Sequence, residues 1–107
     1  MQDTDTNPVR VETAAELDTL IGESDRLLVE FVTEGCGACA AMEPVLGVVA
    51  KQTGVPVVVV NPRDDPVLIE RFDVRSVPTL VLFEDGEAVD RLSEGFVGAE
   101  RVIEFLS

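Results

Sequence analysis

Two continuous apolar segments dominate the hydrophobic pattern along the chain. Residues 27–33 and 55–60 are apolar almost throughout, which is typical of strands that are buried on both faces of a sheet. Glu30 is the one charged residue in the first segment, so it stands out against its surroundings. The pattern therefore predicts two core strands, one of which carries an acid.

Three further strands are predicted, one before and two after these core strands along the chain. Residues 79–83 and 87–92 flank Glu84-Asp85-Gly86, a turn sequence that predicts an antiparallel hairpin. A short strand is expected at residues 9–11.

Turn and capping residues mark two of the helices. A capping box opens a helix over residues 13–21, and we expect Gly22 to end it. Asp64 or Asp65 is expected to cap a short helix over residues 66–72, which begins with proline.

Two longer helical patterns follow the apolar segments. Residues 36–51 have helical spacing and contain Pro44, which lacks an amide hydrogen and should kink the helix. The last helix is expected to place Val102, Ile103 and Leu106 on its inner face. Because strands and helices alternate before the hairpin, the pattern predicts an α/β fold, a central mixed sheet with helices on both faces.

Length and composition are those of one domain. The 107 residues are 46% hydrophobic, enough to bury a core without disulfide staples. We expect a polar N-terminal tail over residues 1–8 and a single domain over residues 9–107. The tail does not resemble a secretory signal, and no apolar run reaches the roughly 20 residues that span a bilayer. We therefore expect a cytoplasmic protein.

Charge narrows the possible partners. The formal net charge is −13, which repels nucleic acid and anionic membrane surfaces, so we expect neither as a partner. Only Lys51 among the eight basic residues is a lysine. So acidic and lysine-poor a chain indicates a halophilic protein, because concentrated salt screens self-repulsion. The alternative is an acidic protein from an ordinary salt environment.

Cys36 and Cys39 are the only two cysteines. A ring this short makes a weak structural staple, whereas a thiol at a helix N-terminus is acidified by the helix dipole and the unpaired amides. Cys36 occupies that position and should attack a substrate disulfide. Cys39, one turn further on, should be buried and resolve the mixed disulfide. A zinc site is the rival interpretation, but the chain has no histidine, so only a dimer could supply four thiolates.

Several motifs occur together in an order that resembles the thioredoxin family. They are Leu28-Val29-Glu30-Phe31, Cys36-Gly37-Ala38-Cys39, Pro44, Phe72-Asp73-Val74-Arg75-Ser76-Val77-Pro78-Thr79 and Phe83-Glu84-Asp85-Gly86-Glu87. The resemblance implies the thioredoxin fold and a protein-disulfide reductase acting on disulfide-containing proteins. It also implies an electron donor like a flavoprotein reductase, and no cofactor beyond the redox-active Cys36–Cys39 pair. We expect a monomer without a bound metal.

The resemblance also assigns roles outside the dithiol. It implies a cis peptide at Val77-Pro78 beside the active site, with the Val77 backbone pairing with the substrate chain. Family members usually have aspartate at position 30, so Glu30 should be a buried proton acceptor for Cys39, with a raised pKa. The alternative is an acid that reaches solvent from a strand end.

Two residues beside the thiols differ from the family pattern, and two glycines are further candidates for substrate contact. Gly35 replaces a frequent aromatic residue, and Ala38 replaces the usual proline between the cysteines. We expect both, with Gly37, to affect substrate contact or reduction potential. Gly95 is similar to a glycine on the substrate-facing rim, although an ordinary turn would explain it equally well.

Other functions remain open on the same fold. An oxidase or isomerase would suit an oxidising compartment, and a glutaredoxin-like enzyme would need a basic cluster to hold anionic glutathione. A binding or chaperone module with incidental thiols is the non-catalytic alternative. The reduction potential of the dithiol would separate oxidants from reductases.

Overall fold

The computed structural model describes residues 8–107, so the predicted tail lies outside the described residues except for Pro8. Five strands and four helices follow in chain order. They are β1 (Val9–Val11), α1 (Ala14–Glu23), β2 (Arg26–Phe31), α2 (Gly37–Thr53), β3 (Val57–Val60), α3 (Val67–Arg71), β4 (Thr79–Glu84), β5 (Glu87–Leu92) and α4 (Ala99–Leu106).

The strands form one mixed sheet in the order β1-β3-β2-β4-β5. The first three are mutually parallel, whereas β4 runs antiparallel to both β2 and β5. Asp85 and Gly86 connect the hairpin with φ values of 52° and 87°, a left-handed pair that suits a tight turn. The predicted mixed sheet and hairpin are confirmed.

Helices cover both faces of the sheet. On one face, α2 and α4 pack on a cluster that includes Leu28, Val57 and Leu80. On the other, α1 and α3 pack on a cluster that includes Phe31 and Phe83. The central strand β2 is therefore buried from both sides, as its apolar sequence predicts.

Two predicted helix boundaries are wrong. The first helix continues through Gly22 to Glu23 and is capped by Ser24 in an extended conformation, because a glycine inside a helix costs only about 1 kcal/mol. The helix α3 has Pro66 as its N-cap and no side-chain capping bond. Instead, the Asp65 carboxylate accepts a hydrogen bond of 2.8 Å from the Ala14 amide, in the first turn of α1.

The other helices agree more closely with the pattern. Half of the capping box is present, since the Glu16 amide donates to Thr13 Oγ1 at 3.1 Å, while the Glu16 carboxylate accepts a hydrogen bond of 3.0 Å from the Glu12 amide. The helix α2 runs unbroken through Pro44. In α4 the buried side chains include Phe105 with Val102 and Leu106, whereas Ile103 is only half-buried. The pattern therefore missed Phe105.

Candidate active site

The dithiol lies where β2 leads into α2. Cys36 is the N-cap of α2, with φ −88° and ψ 104°, and its Sγ accepts a hydrogen bond of 3.1 Å from the Cys39 amide. The sulfur therefore occupies the place of a capping oxygen, at the positive end of the helix dipole. Both effects favour a thiolate at Cys36 when the pair is reduced.

The two cysteines form a disulfide with their Cα atoms 5.2 Å apart. They differ in accessibility, because Cys39 is 5% exposed and Cys36 is half-buried. Cys39 lies in a small cluster with Val32 and Val59, and Cys36 and Val77 pack against that cluster. The structure thus brings the dithiol and Val77 together.

Glu30 lies in the sheet on the side of α2. Glu30 is 0% exposed to solvent, and neither of its carboxylate oxygens has a hydrogen-bond partner among the described residues. Burial raises the pKa of Glu30 to about 7; the negative charge of Glu43 adds to this rise, and the positive charge of Arg10 opposes it. The alternative of an acid that reaches solvent from a strand end is therefore wrong.

A cavity of about 140 Å³ joins Glu30 to the dithiol. Glu30, Cys36, Cys39 and Gly35 line it together with residues from β1, β3 and α2. The space is large enough for water, since one molecule needs roughly 10–15 Å³ of probe-occupied volume. Glu30 and Cys39 therefore border one shared space that can hold water.

The Val77–Pro78 peptide is cis, as the family resemblance implies. Pro78 is buried and Val77 is half-buried. The next residue, Thr79, donates from Oγ1 to the Ser76 carbonyl at 2.7 Å and shares a hydrogen bond of 2.9 Å with the Ser93 hydroxyl. These bonds tie the cis-proline segment to the segment that contains Gly95.

The remaining predicted site residues surround the dithiol at different distances. Gly37 and Ala38 form the first turn of α2. Gly35 has a φ of 76°, a conformation that favours glycine, so its identity has a backbone reason beyond the absent aromatic ring. Gly95 also has a positive φ, 77°, and does not line the cavity beside the thiols.

Sequence reasoning missed two residues near the site. Glu43 follows Cys39 by four positions on the same helix, so helical spacing could have identified it. Arg10 also lines the cavity, but only the strand order places it there.

Among residues 8–107, no group of three or more His, Cys, Asp or Glu side chains is placed to hold a metal ion. None of the helices in this range combines the length and the apolar character needed to span a membrane.

A disulfide at the N-terminus of a helix, beside a buried acid and a cis-proline, defines a thiol–disulfide oxidoreductase. Comparison with known proteins agrees with this class, since the family model "Thioredoxin" matches residues 8–107. The chain belongs to the thioredoxin family.

Individual relatives give the same result. The chain is 38% identical to the thioredoxin of Chlamydia caviae over 85 residues, which cover 78% of this chain and 82% of that protein. It is 32% identical to the thioredoxin of Pyropia yezoensis over 83 residues, 76% of this chain and 78% of that protein. A solved structure of a variant thioredoxin from Halobacterium salinarum superimposes with a TM-score of 0.89 at 31% identity, covering 98% of this chain and 92% of that one.

Family membership establishes the type of reaction. The chain is a disulfide reductase that exchanges its dithiol with disulfides in protein substrates, and a reductase returns electrons to it. Its redox group is the Cys36–Cys39 pair.

Replacing Glu30 should change how stability depends on pH. The pKa of this carboxyl rises from 4.5 to about 7 on folding, so the native state binds the proton more tightly than the unfolded state between these values. The protonated Glu30 carboxyl contributes its full share of the free energy of unfolding below pH 4.5. That contribution, about 3 kcal/mol, is lost as pH rises to about 7. We expect Glu30→Leu to remove that loss.

Urea unfolding of the oxidised protein from about pH 4 to about pH 9 measures the difference between wild type and Glu30→Leu. The difference should grow in favour of the variant as pH rises. Glu87→Gln, a change at an exposed acid on β5, is the control for loss of one surface charge. A difference between wild type and Glu30→Leu that stays constant with pH would contradict the raised pKa of Glu30.

Proposed function

We propose that the chain reduces protein disulfides with Cys36 as the attacking thiolate, Cys39 as the resolving thiol and Glu30 as the proton acceptor. The observation that carries this proposal is the cap at the start of α2, where Cys36 Sγ accepts the Cys39 amide. That contact stabilises negative charge on Cys36, which is also the more accessible of the two sulfur-bearing residues and so suits attack on a substrate.

The proposed cycle has two exchange steps. The Cys36 thiolate attacks one sulfur of the substrate disulfide, forming a mixed disulfide and releasing the first substrate sulfur as a thiolate. Cys39 then gives its proton to the Glu30 carboxylate and attacks Cys36 Sγ, which releases the second substrate thiolate. Two electrons pass to the substrate, the Cys36–Cys39 pair is oxidised, and the released thiolates take up protons from solvent or from Glu30.

The environment of Glu30 suits proton exchange at neutral pH. A glutamate with its ordinary pKa of 4.5 would be a weak base for a thiol, whereas a pKa of about 7 allows both uptake and release. The shared cavity supports a transfer from Cys39 to Glu30, directly or through water.

The substrate is proposed to bind across Val77, Pro78 and Gly95. Within residues 8–107, none of the turn and loop backbone hydrogen bonds involves Val77, so its amide and carbonyl are available to an extended substrate chain. Gly35, Gly37 and Ala38 would contact the substrate on the other side of the dithiol. Ala38 also lies between the cysteines, where it would influence the reduction potential.

We further propose that the protein works as a monomer in the cytoplasm of a halophilic organism, with a flavoprotein reductase as its donor. The net charge of −13 supports adaptation to salt, and the similarity to a Halobacterium salinarum thioredoxin agrees with it. A reducing compartment would keep the dithiol in its working state.

Substitution of each cysteine should separate the two roles. In insulin reduction with dithiothreitol, we expect Cys36→Ser to be inactive, because no thiolate attacks the substrate. When reduced Cys39→Ser is mixed with insulin in the absence of dithiothreitol, it should accumulate a mixed disulfide through Cys36, detectable by mass spectrometry as a covalent adduct that later addition of dithiothreitol removes. An adduct of equal yield through Cys39 in Cys36→Ser would contradict the assignment.

Glu30→Leu should slow resolution more than attack. Loss of the proton acceptor should reduce the rate of mixed-disulfide breakdown about tenfold or more, and formation of the mixed disulfide should change little. Single-turnover quenched-flow separates the steps, and the breakdown rate of wild type should rise through about pH 7. Breakdown at the wild-type rate, with the same pH profile, would refute this role.

Salt should stabilise the fold. Between about 0.1 M and about 1 M KCl the Debye length falls from about 10 Å to about 3 Å, so repulsion among the acidic side chains should weaken and Tm should rise. Differential scanning calorimetry measures the change, with equal osmolality of sucrose as the control for solute exclusion. A Tm independent of KCl would contradict adaptation to salt.

A further inference from the structure

Three residues on neighbouring strands form a row across the sheet. Arg10 on β1 is in register with Val59 on β3, and Val59 is in register with Glu30 on β2. Residues in register on parallel strands project to the same face, so all three side chains point toward α2. Two strand spacings separate Arg10 from Glu30, about 10 Å between backbones, which a long arginine side chain partly spans.

Glu43 approaches the same place from the helix. It lies four residues after Cys39 on α2, one turn along the face that carries the buried cysteine. Arg10 and Glu43 both line the cavity that contains Glu30, Cys36 and Cys39. Opposite charges from two different elements therefore meet at one cavity.

The two charged residues lie toward solvent and Glu30 lies inside. Glu30 is 0% exposed, whereas Arg10 and Glu43 are both exposed. Arg10 and Glu43 also line an adjoining open cleft of about 540 Å³, together with Pro44 and Gly47. They thus stand between the buried carboxyl and the water outside.

We propose that Arg10 and Glu43 are positioning residues that control, through their opposite charges, proton exchange between Glu30 and solvent by way of this cavity. The inference rests on the proposed function, in which Glu30 accepts the proton of Cys39. After resolution, the protonated Glu30 returns its proton to water through the same opening, and Arg10 favours that release because it stabilises the carboxylate. Glu43 acts in the opposite sense.

Arg10 and Glu43 are the charged residues that face Glu30 from the elements packed around it. The neighbours of Glu30 in register on β3 and β4 are Val59 and Leu80, which carry no charge. From α2, Cys36, Cys39 and Glu43 face the cavity, and the cysteines form a disulfide in this state. Electrostatics agree in sign, since Glu43 raises the pKa of Glu30 and Arg10 lowers it.

The test is a direct titration of Glu30 in the oxidised protein. The carboxyl carbon is observed by NMR with ¹³C-labelled glutamate, and the signal is assigned by its absence in Glu30→Gln. We expect Arg10→Gln to move the midpoint upward and Glu43→Gln to move it downward, each by about half a pH unit or more. Arg63→Gln and Glu87→Gln, changes at exposed charges that do not line the cavity, should leave it in place.

Two further measurements sharpen the result. The charge-conserving variants Arg10→Lys and Glu43→Asp should keep the wild-type midpoint, which separates charge from packing. About 1 M KCl should reduce the shifts without abolishing them, because Arg10 and Glu43 are exposed whereas Glu30, at the other end of each interaction, is buried. Shifts that disappear in salt would overturn control through the cavity.

The outcomes separate the control of Glu30 by Arg10 and Glu43 from the role of Glu30 as proton acceptor. An unchanged Glu30 midpoint in both Arg10→Gln and Glu43→Gln would overturn the inference, whatever the activity. If the midpoints move and the pH profile of mixed-disulfide breakdown follows them, both are supported. If the midpoints move and the profile does not, the control of Glu30 stands and its role as proton acceptor is wrong.

Discussion

The burial of β2 on both faces is the constraint on which the site depends. Leu27, Val29 and Phe31 belong to the cluster beneath α1 and α3, while Leu28 belongs to the cluster beneath α2 and α4. A carboxyl at position 30 in such a strand has no route to bulk water except a cavity. The same strand ends at Phe31, five residues before Cys36, so its placement also determines where the Cys36 sulfur meets the start of α2.

The site therefore combines two electrostatic environments. Cys36 lies where helix amides favour negative charge, whereas Glu30 lies where burial disfavours it. An unpaired buried acid opposes folding at neutral pH by about 3 kcal/mol, a large part of the 5–15 kcal/mol typical of whole domains. Repulsion among the acidic side chains acts in the same direction, so the buried acid and the net negative charge both reduce the margin of stability.

Local patterns predicted the elements well because their causes are local. Apolar runs identified the two core strands, and Asp85-Gly86 identified the hairpin turn. Errors arose where a distant contact decided the outcome. Asp65 was expected to cap its own helix, yet its carboxylate binds the Ala14 amide, 51 residues earlier in the chain. Likewise, packing against α2 buries Phe105 more deeply than Ile103, which spacing alone did not distinguish.

The sequence by itself determined the dithiol, its position at the start of a helix and the presence of an acid in a core strand, because these follow from residue type and near neighbours. Tertiary structure decided how that acid behaves. The strand order β1-β3-β2 brings Arg10 into register with Glu30 through Val59, and α2 brings Glu43 to the same cavity. The loss of water around a carboxyl and the electrostatic field at it both depend on every group packed nearby. Only the folded chain therefore sets the pKa of Glu30.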